Sequence, residues 1–146
     1  MSRFADRRVV VCQSPEDLAG RAADFIEDEA ANAVKARGRF TIALAGGSTP
    51  ELAYTILARR ARSTRIDWSR AYLFFGDERF VPADDPRSNC AMVGRTLLAG
   101  LPVSAERVFP IATEGTTPAG SAIAYAAKLA EVFALPGEGP PPPASI

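Results

Sequence analysis

Apolar residues recur along this chain in two rhythms, and their alternation predicts the architecture. Val9, Val10 and Val11, set between Arg8 and Cys12, read as a first short strand. Ser14-Pro15-Glu16-Asp17 then carries the marks of a helix start: a capping hydroxyl, a proline at the first position, and acids opposing the helix dipole. Leu18, Ala22, Phe25, Ile26, Ala30 and Ala33 recur at helical spacing and predict its buried stripe. Asp24, Glu27, Asp28, Lys35 and Arg37 fall on the wet side, and Gly38 closes the helix. Phe40 to Ala45 predicts a buried central strand of the sheet, the pivot of the chain. Pro50 to about Arg60 predicts a second helix, with Leu52, Ala53, Ile56 and Leu57 pointing inward.

Ile66 to Trp68 leads into Ala71-Tyr72-Leu73-Phe74-Phe75, an aromatic run expected to be a strand buried on both faces. Gly76 to Asn89 is polar and irregular, with Pro82 and Pro86 barring regular structure. Cys90 to Leu98 predicts a third helix, opened by Ser88 or Asn89 and closed by Gly100. Val108 to Ile111 is short and broken by Pro110, as suits an edge strand or extended segment. Thr117-Pro118 repeats the cap-plus-proline start, and Ile123, Ala126, Ala127, Ala130 and Phe133 form the predicted stripe of a fourth helix. Strands alternating with helices predict a layered α/β/α fold with a mostly parallel, Rossmann-like sheet. Loops after consecutive parallel strands then share one edge, where ligands of such sheets sit. The expected domain covers residues 1–135. Beyond it, Pro136-Gly137-Glu138-Gly139 and four prolines from Pro140 predict an irregular tail over 136–146.

Composition narrows the function. At 146 residues the chain suits one domain with a sizeable core. Its formal net charge is zero, so no basic field argues for nucleic acid. No apolar run approaches the roughly 20 residues of a membrane span, and Met1 to Arg8 is charged, without the apolar stretch of a signal peptide. A cytoplasmic protein is expected. Cys12 and Cys90 are in no metal-like spacing and read as unpaired thiols; no metal site or cofactor is expected. The chain has no histidine, which excludes any mechanism that needs one from this polypeptide.

Two strand-end loops carry the candidate chemistry. After the pivot strand, Gly46 and Gly47 allow a sharp turn, Ser48 and Thr49 are capping types, and Pro50 suits the first helical position. Unpaired backbone N–H groups and a helix dipole there suit an anion such as phosphate. The turn is neither a dinucleotide fingerprint nor a nucleoside-triphosphate loop, because it lacks the third glycine of the one and the Gly-Lys pair of the other. The second loop, Gly76-Asp77-Glu78-Arg79, offers two acids and an arginine that can grip phosphate or carboxylate; a solvated turn with a local ion pair is the plainer reading. Asp85-Pro86-Arg87-Ser88-Asn89 follows, a helix cap or a substrate-contacting loop.

In order and spacing, Ala45-Gly46-Gly47-Ser48-Thr49-Pro50, Phe75-Gly76-Asp77-Glu78-Arg79-Phe80-Val81-Pro82 and Asp85-Pro86-Arg87-Ser88-Asn89 resemble the 6-phosphogluconolactonase family. The related glucosamine-6-phosphate deaminases share the glycine turn but usually place tyrosine after the two acids, where this chain has Arg79. The resemblance implies hydrolysis of 6-phosphogluconolactone to 6-phosphogluconate without metal or organic cofactor. By the same analogy Gly46, Gly47, Ser48 and Thr49 hold the phosphate or sugar hydroxyls through their amides. Arg79 steadies negative charge on phosphate or on the developing oxyanion, and Asp77 orients the general base. Arg87 and Asn89 line the pocket. The family's base is a histidine in a Gly-x-x-x-Asp-Gly-His-Thr motif, which this chain lacks. The expectation is therefore the N-terminal part of a lactonase, inactive alone. A non-catalytic phosphosugar-binding domain and a deaminase relative are the alternatives.

Overall fold

The computed structural model describes residues 9–133 apart from 62 and 64. The predicted tail at 136–146, the domain limit at 135 and the Arg8 end of the first predicted strand lie outside the described residues.

The N-terminal helix forms as its capping residues dictate. In α1 (Pro15–Arg37), Ser14 Oγ accepts from the Asp17 N–H at 3.1 Å, and Gly38 ends the helix at φ 74°, a left-handed conformation that favours glycine. Its buried line is Ala19, Ala23, Ile26, Glu27, Ala30 and Ala33. The predicted stripe is thus displaced: Leu18 and Phe25 are exposed, Phe25 at 52%. Alanines let the helix lie close to its neighbours, whereas the bulkier residues would hold it away, so size rather than hydrophobicity selects the face. Glu27 is also corrected from wet to buried, because its position on this line turns it towards the end of the second helix, where Arg60 Nη1 lies 3.6 Å away.

β1 (Phe40–Leu44), β2 (Ala71–Phe75) and β3 (Val108–Phe109) form a parallel sheet in the order β1-β2-β3. Phe40, Ile42 and Leu44 pair with Ala71, Leu73 and Phe75, so these six point to one face. There they meet Ile26 and Ala30 of α1, Tyr54 and Leu57 of α2 (Ser48–Arg59), and Val93 of α3 (Asn89–Thr96). The opposite face carries Tyr72, Phe74 and Phe109, with Phe109 stacked on both of the other rings and Phe133 of α4 (Pro118–Phe133) against Phe74 at 5.2 Å. Helices on both faces of a parallel sheet give the expected layered α/β architecture.

Three further expectations change. Val9 to Cys12 is not a strand; Val9 is 83% exposed, and the described sheet offers these valines no ladder. β2, rather than the pivot strand β1, occupies the middle of the described sheet. In α4 only Ser121 is buried, while Ile123 is 73% exposed and Ala126, Ala127 and Ala130 are exposed too. The helix instead turns Ser121 and Tyr125 inward because both hydroxyls have backbone partners there: Ser121 Oγ donates to Ala112 O, and Tyr125 Oη to Phe109 O. Among the described residues no helix is long and apolar enough to cross a membrane.

Candidate active site at the strand ends

Parallel strands deliver their exit loops to one edge, and local chemistry fixes how those loops lie there. Tyr54 of α2 holds the end of β1: its hydroxyl accepts from Ala45 N–H at 2.9 Å and donates to Ala45 O at 3.1 Å. Burial pushes the Tyr54 phenol pKa up, which keeps the hydroxyl protonated and able to make both bonds. Gly76 N–H donates to Leu44 O at 2.9 Å and ties the exit of β2 to that of β1. Tyr125 plays a matching part at the other side, accepting from Phe75 N–H at 2.9 Å.

At the glycine turn, Gly47 is the helix cap, at φ 106° and ψ 164°, a conformation that L side chains rarely adopt. Ser48 is already helical, so neither Ser48 nor Thr49 caps α2 and Pro50 stands at the third helical position rather than the expected first. No side chain caps the helix, so its first amides have no side-chain partner there. Gly46 serves a different need. A Cβ there would fall 2.0 Å from Asn89 Oδ1, so the Asn89 amide occupies the space that any side chain at Gly46 would fill.

The second loop is organised by Glu78. Its Oε1 accepts from Arg79 N–H at 2.6 Å and Asn89 N–H at 2.7 Å; its Oε2 accepts from Cys90 N–H at 2.8 Å and Ser88 Oγ at 3.1 Å. A carboxylate accepting several backbone amides at a helix start satisfies groups that would otherwise be orphaned. Ser88 completes the cap by accepting from Ala91 N–H at 3.1 Å. Of the two residues offered as the start of this helix, Ser88 is the cap. Burial, and secondarily the charge of Glu78, push the Cys90 thiol pKa up, which disfavours the nucleophilic thiolate.

The two loops meet at Asn89. Its Nδ2 donates to Asp77 O at 3.1 Å and to Asp77 Oδ1 at 3.3 Å, while Asp77 Oδ2 accepts from Arg79 Nη1 at 3.2 Å. Arg87 is held by Asp85 in a two-pronged pair of 2.9 and 2.8 Å. The Arg87 side-chain hydrogen bonds, with its backbone N–H adding to them, lower the Asp85 pKa to about 2.

Beside these groups lies a cleft of about 330 Å³. Gly47, Ser48, Arg79, Arg87 and Asn89 line it, together with Glu51, Met92 and Arg95. Five of the eight residues singled out in the sequence therefore share one cavity wall. Gly46 lies behind Asn89, Asp77 touches the cleft through Asn89 and Arg79, and Thr49 is an exposed residue of the first turn of α2. Sequence reasoning missed the clamp made by Glu78, the tyrosine ties, and Arg95; the spacing of Ser88, Met92 and Arg95 on one side of α3 was the available signal for the last. Arg79, Arg87 and Arg95 against Glu51 leave the cleft suited to an anion.

The family described as glucosamine-6-phosphate isomerases/6-phosphogluconolactonase matches residues 13–144. A 6-phosphogluconolactonase of Nostoc sp. is 36% identical over 135 residues, which is 92% of this chain and 55% of that protein. The 6-phosphogluconolactonase of Streptomyces coelicolor is 33% identical over 127 residues, 84% of this chain and 49% of that one. Among solved structures, the 6-phosphogluconolactonase from Trypanosoma cruzi superposes with a TM-score of 0.73 at 29% identity, over 88% of this chain and 51% of that one. A monomeric glucosamine-6-phosphate deaminase shares the fold, with a TM-score of 0.74 at 22% identity over 88% and 52% of the two chains. The chain spans about half the length of the relatives it matches.

Proposed function

The chain belongs to the glucosamine-6-phosphate isomerase/6-phosphogluconolactonase family, and on that premise we propose that it forms the phosphosugar-holding part of a 6-phosphogluconolactonase. The observation that carries this reading is the contact of Asn89 with Gly46 on one side and Asp77 on the other, which draws the separate motifs into one cleft. In the reaction, water adds to the lactone carbonyl, the ring C–O bond breaks, and the ring oxygen leaves as the hydroxyl of 6-phosphogluconate. The amides at Gly46 to Thr49 hold the phosphate or sugar hydroxyls. Arg79 steadies the charge that develops on the carbonyl oxygen or resides on phosphate. Asp77, with one oxygen towards Arg79 and the other towards Asn89, orients the group that activates water.

That group does not come from this polypeptide, which has no histidine. A base near neutral pKa contributes on the order of 10²–10⁴-fold to such a step. The 146-residue chain is therefore a binder without appreciable turnover. The soluble location proposed for it is the cytoplasm. Two measurements test this reading together. Thermal unfolding should shift upward with 6-phosphogluconate and less with glucosamine 6-phosphate; a larger shift with the amino sugar favours the deaminase reading. Lactone hydrolysis, corrected for the spontaneous reaction, should not exceed that of an Arg79→Ala chain; clear turnover above this blank contradicts the missing base.

A further inference from the structure

We propose that Arg95 is the specificity residue for the anionic end of the ligand, the side chain by which the cleft distinguishes a phosphorylated sugar acid from its unphosphorylated counterpart. The proposal rests on the reading of this cleft as a phosphosugar site. Three guanidinium groups line the cavity, but two are committed. Arg79 is paired with Asp77 at 3.2 Å, and Arg87 with Asp85 at 2.8 Å. Arg95 has no hydrogen bond or ion pair among the described residues, so every donor of its planar fork is available to a ligand.

Its position on α3 supports the assignment. Ser88 is 1% exposed and Met92 7% exposed, and both line the cleft with Arg95 along one side of the helix. That side is therefore a cavity wall that runs from buried Ser88 and Met92 out to the exposed Arg95 at its rim. Gly47, Ser48 and Glu51 of the turn into α2 line the same cleft. An anion seated between Arg95 and Ser48 leaves the rest of a sugar acid directed along the wall towards Asn89 and Arg79. Glu51 lines the same cleft and repels a bound phosphate, a like-charge cost that the Arg95 guanidinium offsets.

Arg95 also sits in the last turn of α3, where any cation favours the helix dipole. A substitution that keeps the charge separates the two roles. The test is calorimetric titration of the 146-residue chain with 6-phosphogluconate, gluconate and inorganic phosphate, repeated for Arg95→Gln, Arg95→Lys and Glu51→Gln. Expected is a 10- to 100-fold weaker 6-phosphogluconate affinity in Arg95→Gln, roughly the loss of a charge-assisted hydrogen bond pair, with gluconate affinity unchanged. Arg95→Lys should recover part of the loss, and Glu51→Gln should tighten phosphate binding. Unaltered 6-phosphogluconate affinity in Arg95→Gln overturns the assignment and leaves the proposed function standing. Arg95-dependent binding of inorganic phosphate without binding of 6-phosphogluconate supports the anion assignment and refutes the proposed sugar. A wild-type chain that binds none of the three probes overturns both.

Discussion

Replacing Gly46 by alanine should remove the Asn89 amide from its place, although the added group is one methyl. The new Cβ would stand 2.0 Å from Asn89 Oδ1, 2.5 Å from Cγ and 2.8 Å from Nδ2. Asn89 cannot slide away as a unit, because its backbone N–H is held by Glu78 Oε1 at 2.7 Å at the start of α3. Its side chain must therefore rotate out and give up the bonds to Asp77 O and Asp77 Oδ1. A neutral hydrogen bond contributes about 1 kcal/mol and one to a charged group about 1.5–3 kcal/mol. Asp77 is more than half exposed, which places its share at the low end. Gly46→Ala should thus destabilise the fold by about 2–3 kcal/mol, a large part of an ordinary domain's stability. Urea unfolding followed by the fluorescence of the single, buried Trp68 measures this directly. Because the cost is the eviction of Asn89, Gly46→Ala combined with Asn89→Ala should be about as stable as Asn89→Ala alone. Additive losses in that double-mutant cycle, or a Gly46→Ala chain within about 0.5 kcal/mol of wild type, would refute the reasoning.

Glu78→Gln keeps the size of the clamp but turns an amide NH₂ towards donors, so it should cost about 2 kcal/mol or more and loosen protection of the Asn89 and Cys90 amides in hydrogen exchange. Gly47→Val should abolish 6-phosphogluconate binding, because φ 106° is closed to a β-branched residue, whereas Ser48→Ala should weaken it only modestly since the backbone donors survive. Asp85 should titrate at about 2 by carboxyl carbon NMR and rise in Arg87→Ala towards the ordinary value near 3.9, stopping short of it because the backbone N–H of residue 87 remains. Its folded pKa lies below the unfolded one, so the Asp85–Arg87 contribution is complete above about pH 4 and is lost as pH falls towards 2. A midpoint near 4 in both proteins would contradict the pairing.

Punctuation in the sequence was highly legible. Ser14, Pro15 and Gly38 bound α1 because caps act through their immediate neighbours, which a sequence displays. The parallel layered fold followed from the order of elements, and five of eight proposed site residues lie on one wall because parallel strands bring their exits together. What misled was the choice of face. Leu18, Phe25 and Ile123 dominate any hydrophobicity pattern, yet the close-packed surfaces went to Ala19, Ala23 and Ser121, which suit short separations or find backbone partners. Val9 to Val11 has strand character, but a ladder needs a neighbouring edge, which composition does not reveal. Glu78 read as half of an acidic pair; only the approach of Asn89 and Cys90 from across the loop shows it to be a clamp.

The strand-end cleft is the proposed seat of a phosphosugar acid. Amide and side-chain chemical shifts recorded while 6-phosphogluconate is titrated into the 146-residue chain test that placement residue by residue. The expected result is saturable movement of the Gly47, Ser48 and Asn89 amides and of the Arg79 and Arg95 guanidinium signals, with the α4 side near Ser121 and Leu129 unmoved. Movement confined to that α4 side, or none at Gly47 and Ser48 at saturating ligand, would contradict the account.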